Sequence, residues 1–300
     1  MITPRDGLVE AGLPRRVYFN RTRTSQSIPA RLVREGRLHL LPFYALLQSS
    51  DLAREGIRNS GSYRFADHVY RGRAGGTLGV GRILDAVLLR LRAARAMRSR
   101  FLHAKTEILA AAQRHPVARQ FRVLSVPCGI ARDLVEAAAE LRALDPPLTP
   151  PGTFFGLDLD PRPLALSRRL AGALPGFRFL RGDALEASAY PGELDVIVST
   201  GLGEFLSDDL LVRFYANCRA ALRDGGVLVT SATRRDPVSD FLLRELAELR
   251  ARYREPDEFL RLLRLAGFAD VSQRLDATAL EILAVAQRSP SEPHASGGIR

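Results

Sequence analysis

From about residue 119 onward the chain predicts an α/β fold: a mostly parallel sheet of seven strands that ends in an antiparallel hairpin, preceded by a helical N-terminal extension. Three observations predict it. Short apolar runs alternate with helix-length amphipathic segments, as parallel strands joined by crossover helices require. The last two extended runs, about 269–275 and 279–287, are separated by only a few residues. A parallel return needs roughly a dozen or more, so that pair must be antiparallel. The residues before 119 show helical periodicity in place of the strand rhythm.

In chain order, residues 83–113 predict one or two helices. Ile83, Val87, Leu88, Leu91, Ala94, Met97, Phe101, Ala104 and Ile108 share one broad face, with Arg90, Arg92, Arg95 and Arg98 largely off it. Upstream, an aromatic and polar segment, Tyr63 to Tyr70, lies between Gly61 and the pair Gly75-Gly76, so it is expected to move as a flap. Strands are then expected at about 121–127, 153–158, 177–181, 194–199 and 226–231. Between and after them, helices are expected at 130–143, 161–173, 207–223, 237–252 and 256–266. Asp224-Gly225-Gly226 marks a helix stop and strand entry. The expected organisation is a helical, basic lid or substrate region over 1–118, an α/β domain over 119–288, and a disordered Ser/Pro/Gly tail over 289–300.

Composition narrows the function classes. Of 300 residues, 46% are hydrophobic and 26% charged, and no run approaches the ~18 apolar residues of a membrane span. The start has no apolar secretion core, and the two cysteines form no disulfide framework, so a cytoplasmic location is expected. The five histidines show no metal-ligand pattern. The net charge of +11 is lopsided: residues 1–120 hold 22 basic against 8 acidic residues. That half could meet nucleic acid, an anionic membrane surface or an anionic small substrate, or could simply be a solvated face. Lys105 is the sole lysine, which points to a coding bias toward arginine and weakens any contact argument built on single arginines.

The chemistry concentrates at the strand ends. After the first strand, Ser125-Val126-Pro127-Cys128-Gly129-Ile130-Ala131 places small residues where a chain turning into a helix must leave room for a ligand. Asp158 ends the second strand in Gly-Leu-Asp-Leu-Asp-Pro, where a carboxylate can accept both ribose hydroxyls. It lies farther from the loop than the usual 20 or so residues because the Pro-rich stretch 146–151 intervenes. Asp183, after the third strand, could accept a bond from an adenine amino group. A turn or capping carboxylate is the structural alternative for each.

With these motifs in order, followed by Leu-Asp-Val-Ile-Val-Ser, Asp-Gly-Gly-Val-Leu-Val and a late Ala-Gly-Phe, residues 119–288 resemble the class I S-adenosylmethionine-dependent methyltransferases. The resemblance implies a Rossmann-like sheet with a reversed last strand and S-adenosyl-L-methionine as cofactor. It implies cofactor contacts from Pro127, Cys128, Gly129, Asp158, Leu159, Gly182, Asp183, Ala184, Thr200 and Gly201. In that family the loop usually reads Asp-Val-Gly-Cys-Gly-Thr-Gly; here Ser125, Pro127 and Ala131 depart from it, and the first acid, an expected contact of the methionine amino group, is missing. More loosely, Tyr70-Arg71-Gly72-Arg73, Leu84-Asp85 and Met97-Arg98-Ser99-Arg100 resemble the leader of a little-characterised bacterial methyltransferase group.

Glu204, in Thr200-Gly201-Leu202-Gly203-Glu204-Phe205, lies where the resemblance implies a substrate-facing or cofactor-amino contact and is the best acidic site candidate, with a helix-N-terminal charge as the alternative. His68 is a candidate base or substrate contact, with Tyr63 as a pocket wall; packing of the N-terminal segment is the alternative. Cys128 reads better as small packing than as a nucleophile. The Asn/Asp-Pro-Pro-aromatic motif of amino-directed base methylation is absent after the fourth strand, and no paired cysteines serve a covalent pyrimidine mechanism. Nor is there an Asp-rich run there for aminopropyl transfer. The expected function is methyl transfer to an O or N atom, or a carbon, of a small or lipid-like metabolite. The alternative is an RNA-modifying or RNA-binding protein using the basic half.

Overall fold

The computed structural model describes residues 27–59, 61–77, 79–116, 119–143 and 152–290. The Pro-rich stretch 146–151 and, beyond residue 290, the tail lie outside the described residues. The N-terminal part forms α1 (Ile28–Arg34), α2 (Leu40–Leu47), α3 (Asp51–Arg58), α4 (Tyr63–Arg71), α5 (Val80–Arg90) and α6 (Arg92–Arg114). The helical stretch expected over 83–113 breaks at Leu91, whose extended backbone (ψ 150°) ends α5 and starts α6. The break resets the helical phase. Ile83 and Val87 are therefore 68% and 49% exposed, while Phe101, Ala104 and Ile108 are buried.

The 63–70 segment is a capped helix. Ser62 Oγ accepts the Phe65 N–H at 3.1 Å, and Gly72 closes α4 with φ +62°. Its downstream glycines serve close packing: a Cβ on Gly76 would lie 2.5 Å from the Gly81 backbone. Asp67 is tied to Arg132 at 2.8 Å and His68 to Asp85 at 2.8 Å, so α4 is fastened at two points where a freely moving flap was expected.

The sheet follows as β1 (Phe121–Ser125), α7 (Arg132–Ala143), β2 (Gly152–Asp158), α8 (Pro161–Ala171), β3 (Phe177–Arg181), β4 (Leu194–Ser199), α9 (Asp208–Ala221), β5 (Leu222–Thr233), α10 (Pro237–Leu246), α11 (Pro256–Leu265), β6 (Asp270–Leu275) and β7 (Glu281–Gln287). Strand order is β3-β2-β1-β4-β5-β7-β6, parallel except for β7, which runs antiparallel to both neighbours. The order reverses between β1 and β4, and in open α/β sheets the crevice outside the carboxyl ends at that point is where ligands bind.

Both faces of the sheet are buried, as the unbroken apolar runs require. Leu124, Phe155, Ile197 and Leu228 face α9 and α11, where Phe214, Tyr215, Phe259 and Leu263 join them. Val123, Phe154, Val196 and Val229 face the other way, onto α7, α8 and the second half of α6. The boundary expected near 118 therefore follows a helix whose Ala104, Ile108 and Ala112 belong to the sheet's own core. A separate cluster, including Leu32, Leu47, Ile57 and Leu246, binds α1, α2 and α3 to α10.

Two element lengths differ from expectation. Strand β5 spans 222–233 where 226–231 was expected, because its far end is held by β7 through Thr233 opposite Glu281. The helix expected over 237–252 stops at Leu246: Glu248 has φ +50°, and Arg254 is buried, bonding the carbonyls of Gly203 and Leu206 at 2.6 and 3.0 Å. No described helix is long and apolar enough to cross a membrane.

Candidate active site

The adjacent ends of β1 and β2 bring the loop and Asp158 together. Gly129, at φ +49°, donates its N–H to Asp158 Oδ2 at 2.9 Å, and Asp160 N–H reaches Oδ1 at 2.9 Å. Cys128 N–H bonds Leu157 O at 2.9 Å, closing the loop on β2. Ala131 is fully buried, with its N–H on Ser167 Oγ at 3.0 Å, so a side chain larger than methyl would not fit where the family pattern has glycine. The Leu159 N–H also acts on this carboxylate, whose two oxygens together offer about four acceptor sites. Burial pushes the Asp158 carboxyl up to about 6, against the lowering effect of the Asp160 and Gly129 N–H groups.

Asp133 escaped the sequence reading. It stands in the first turn of α7 and accepts a bond from Ser125 Oγ at 2.9 Å, which puts a carboxylate beside the position where the family pattern has its first acid. Burial raises it to about 6, with the Ser125 bond acting to lower it. The available signal was the Ala131-Arg132-Asp133 run, which brings an acid back over the strand end within one helical turn. Neither Asp133 nor Asp158 has an ion pair among the described residues.

The remaining expected cofactor residues line the same rim. Asp183 Oδ1 accepts Leu185 N–H at 2.8 Å; burial raises this carboxyl above the ordinary range. Gly182 is required by packing, since a Cβ there would lie 2.9 Å from both Leu157 and Ala189. Ala184 is buried with its carbonyl on Tyr190 Oη at 2.6 Å, and Leu159 is half-buried against the sheet core. Pro127 is exposed in the loop, and Thr200 and Gly201 are half-buried at the end of β4. Cys128 is buried against Gly156, and burial together with Asp158 and Asp133 raises its thiol well above the ordinary range, which leaves it a packing group.

Helix α4 covers the loop. The Tyr63 Cβ is 3.4 Å from where a Cβ on Gly129 would stand, and the Asp67–Arg132 pair anchors α4 to the start of α7. His68 Nε2 meets Asp85, which is fully buried and also accepts Ser50 Oγ at 2.6 Å and the N–H groups of Leu52 and Gly75. Burial alone would raise Asp85; those four bonds hold it below the ordinary carboxylate range. His68 thus belongs to a junction among the N-terminal helices.

Glu204 lies in the short 3₁₀ turn after β4 and is bonded by Arg100 from α6 and, at 2.8 Å, by Thr233 Oγ1 at the end of β5. Arg100 abuts Gly201: a Cβ there would lie 2.7 Å from Nη2. Glu281, at the start of β7, is fully buried and shares both partners, with Thr233 Oγ1 at 3.0 Å and Arg100 Nη1 at 3.5 Å. Burial lowers Arg100, but Glu204, Tyr70 and Glu281 more than offset it and raise it above its ordinary value. Burial raises Glu281 to about 7, with Arg100 lowering it and Glu204 raising it. Arg100, Thr233 and Glu281 were not legible as site residues, because they come from three distant parts of the chain.

Among solved structures, a possible exported protein from Bordetella parapertussis is 23% identical at a TM-score of 0.73, covering 88% of this chain and 94% of its own. The CurJ carbon methyltransferase is 16% identical (TM-score 0.56; 94% and 78% covered). The S-adenosylmethionine-dependent methyltransferase SibL, in its apo form, is 17% identical (TM-score 0.51; 96% and 90% covered). At these identities the likeness is one of fold. No curated protein sequence matches the chain. A family model described as "Putative methyltransferase" matches residues 47–288. Spanning most of the sequence and ending with β7, that match shows that the chain belongs to this methyltransferase family, whose methyl donor is S-adenosylmethionine.

Proposed function

We propose that the protein transfers the methyl group of S-adenosylmethionine to an oxygen or nitrogen, or to an activated carbon, of a small or lipid-like acceptor seated against Glu204 beneath α4. The single observation that carries this reading is Asp158, a half-buried carboxylate at the end of β2 that has no ion pair among the described residues and that burial raises to about 6. An anion left in that state calls for neutral donors, and the two hydroxyls of a ribose supply them. Positive φ and the missing side chain at Gly129 let a ligand approach the backbone closely. Thus the residues present fit the donor.

When bound, the donor supplies an electrophilic methyl group and carries the difficult part of the chemistry. Asp158 would hold the ribose and Asp183 the adenine amino group. Asp133, beside Ser125, would take the methionine end in place of the missing acid. Tyr63 and α4 would exclude water above the loop. Glu204 would take a proton from the acceptor: both of its bonds fall on Oε1, and among the described residues nothing bonds Oε2. His68, held by Asp85, serves the lid in this reading. Two buried free cysteines accord with a reducing, cytoplasmic setting.

Part of the basic half's charge is met by partners within the molecule. Arg31 and Arg37 meet Glu245, Arg54 meets Asp51, Arg98 bonds Leu89 O at 2.7 Å, and Arg100 meets Glu204. The test is transfer of a radiolabelled methyl group from the donor into panels of hydroxylated, amino and lipid-like metabolites, with total RNA as a parallel arm. Label in a metabolite pool is expected. Label in RNA, with affinity falling at a log–log salt slope of about −0.7 per neutralised phosphate, would overturn the reading.

A further inference from the structure

The hydroxyl of Thr233 lies between two carboxylate oxygens, 2.8 Å from Glu204 Oε1 and 3.0 Å from Glu281 Oε2. A threonine hydroxyl has one hydrogen to donate. If both carboxylates were ionised it could bond only one, and the other contact would set lone pairs against each other. With one proton on the pair, both contacts become hydrogen bonds. Charge gives the same count. Among the described residues Arg100 is the one cation within ion-pair distance of Glu204 and Glu281, and both it and Glu281 are buried, so the ionised cluster carries an excess negative charge that a single proton removes.

The proton belongs on Glu281. Glu204 Oε1 already accepts a bond from Arg100, whereas Glu281 Oε1 is buried with no hydrogen bond among the described residues and meets Arg100 only at 3.5 Å. With the acid on Glu281, its O–H donates to Thr233, and Thr233 donates to Glu204. The other groups around Glu281 are the Ser231 hydroxyl of β5 and Asp276 before β7. The Asp276 carboxylate is spent on the N–H groups of Leu280 and Glu281, at 3.1 and 3.0 Å, and on Thr278 Oγ1. Tyr70 reaches the cluster only through Arg100.

We propose that Glu281 is a positioning residue for methyl transfer: held as the neutral acid, it orients the Thr233 hydroxyl and releases Arg100 toward Glu204 Oε1, keeping Glu204 ionised with Oε2 free for the acceptor. This rests on the reading of Glu204 as the group at the acceptor. In the reaction so served, the carbon–sulfur bond breaks with its electron pair going to sulfur. The acceptor's lone pair forms the new bond to carbon, and the proton of the O–H or N–H passes to Glu204 Oε2. Glu281 itself gains and loses nothing in that step.

The test is carboxyl-carbon NMR of the full chain, labelled at glutamate, titrated from pH 5 to 9. One glutamate is expected to titrate near neutral pH. Glu281→Gln, which keeps a donor toward Thr233, should abolish that signal; Glu204→Gln should move it down by about a unit or more, since the repelling charge is gone. A wild type in which every glutamate carboxyl has ionised by pH 6 would overturn the proposal, as would survival of the neutral titration in folded Glu281→Gln. If that variant does not fold, the wild-type curve and Glu204→Gln decide. Calorimetry with S-adenosylhomocysteine on the same samples separates the two claims. Binding without the neutral titration removes only the role of Glu281, and the titration without binding removes only the methyltransferase reading.

Discussion

Replacing Asp158 with alanine is expected to weaken S-adenosylhomocysteine binding by ~10- to 150-fold for each charge-assisted bond lost, or about 1.5–3 kcal/mol. The effect is large because the carboxylate has two tasks. It offers acceptors to the ligand, and its oxygens also fix the N–H groups of Gly129 and Asp160, which shape the loop. Asp158→Asn should do nearly as much damage. Its amide nitrogen would turn a donor toward either the Gly129 or the Asp160 N–H, and two donors then face each other in a desolvated site. Calorimetry at pH 7.5 measures both, with thermal unfolding as a check that the fold persists.

Arg100→Met is expected to destabilise the fold by roughly 3–5 kcal/mol, with a fall in melting temperature on the order of 10 °C. The arginine is 6% exposed and lies over Gly201 between Glu204 and Glu281, so its removal takes from both groups the cation they share. The loss should shrink at pH 5, where Glu281, raised to about 7 by burial, holds a proton, and Arg100→Met combined with Glu281→Gln should recover part of it. Scanning calorimetry at pH 5 and 7.5 checks this. Equal destabilisation at both values would mean that the arginine acts through packing alone.

The parts of this molecule that the sequence makes legible are those set by local pattern. The pairs Val123/Leu124, Val196/Ile197 and Leu228/Val229 each send one side chain to either face of a doubly covered sheet, and the apolar runs containing them read directly as buried strands. Asp158 and Gly129 meet because each ends its strand or opens the next turn, and parallel pairing of Ser125 with Gly156 aligns those ends. Other features depend on partners that periodicity does not reveal. Glu281 lies unremarked within the extended run 279–287 until β7 is laid against β5 and buries it opposite Thr233. Ile83 and Val87 read as core until the kink at Leu91 turns α5 away. His68 reads as a candidate base or substrate contact until the N-terminal helices bring Asp85 to it. The helix pattern through 252 gives no sign that Arg254 must turn inward to bond the carbonyls ahead of α9.

The most direct test of the central claim, that a methyl donor is held by the loop and Asp158, is the pH dependence of S-adenosylhomocysteine binding to the wild-type chain. The sign follows from the carboxyls. In the ligand-free fold Asp158 and Asp133 are raised to about 6, so folding favours their protonated forms, and the stability they contribute is present below about pH 3.8 and lost as pH rises through 6. A ligand that donates hydrogen bonds to ionised Asp158 favours the opposite form. Affinity should therefore be level above about pH 7 and fall by up to ~10-fold per pH unit below 6. One-site binding at pH 7.5 that weakens about tenfold or more by pH 5 is the predicted result. No binding at pH 7.5, or an affinity indifferent to pH across 5 to 7.5, would contradict it.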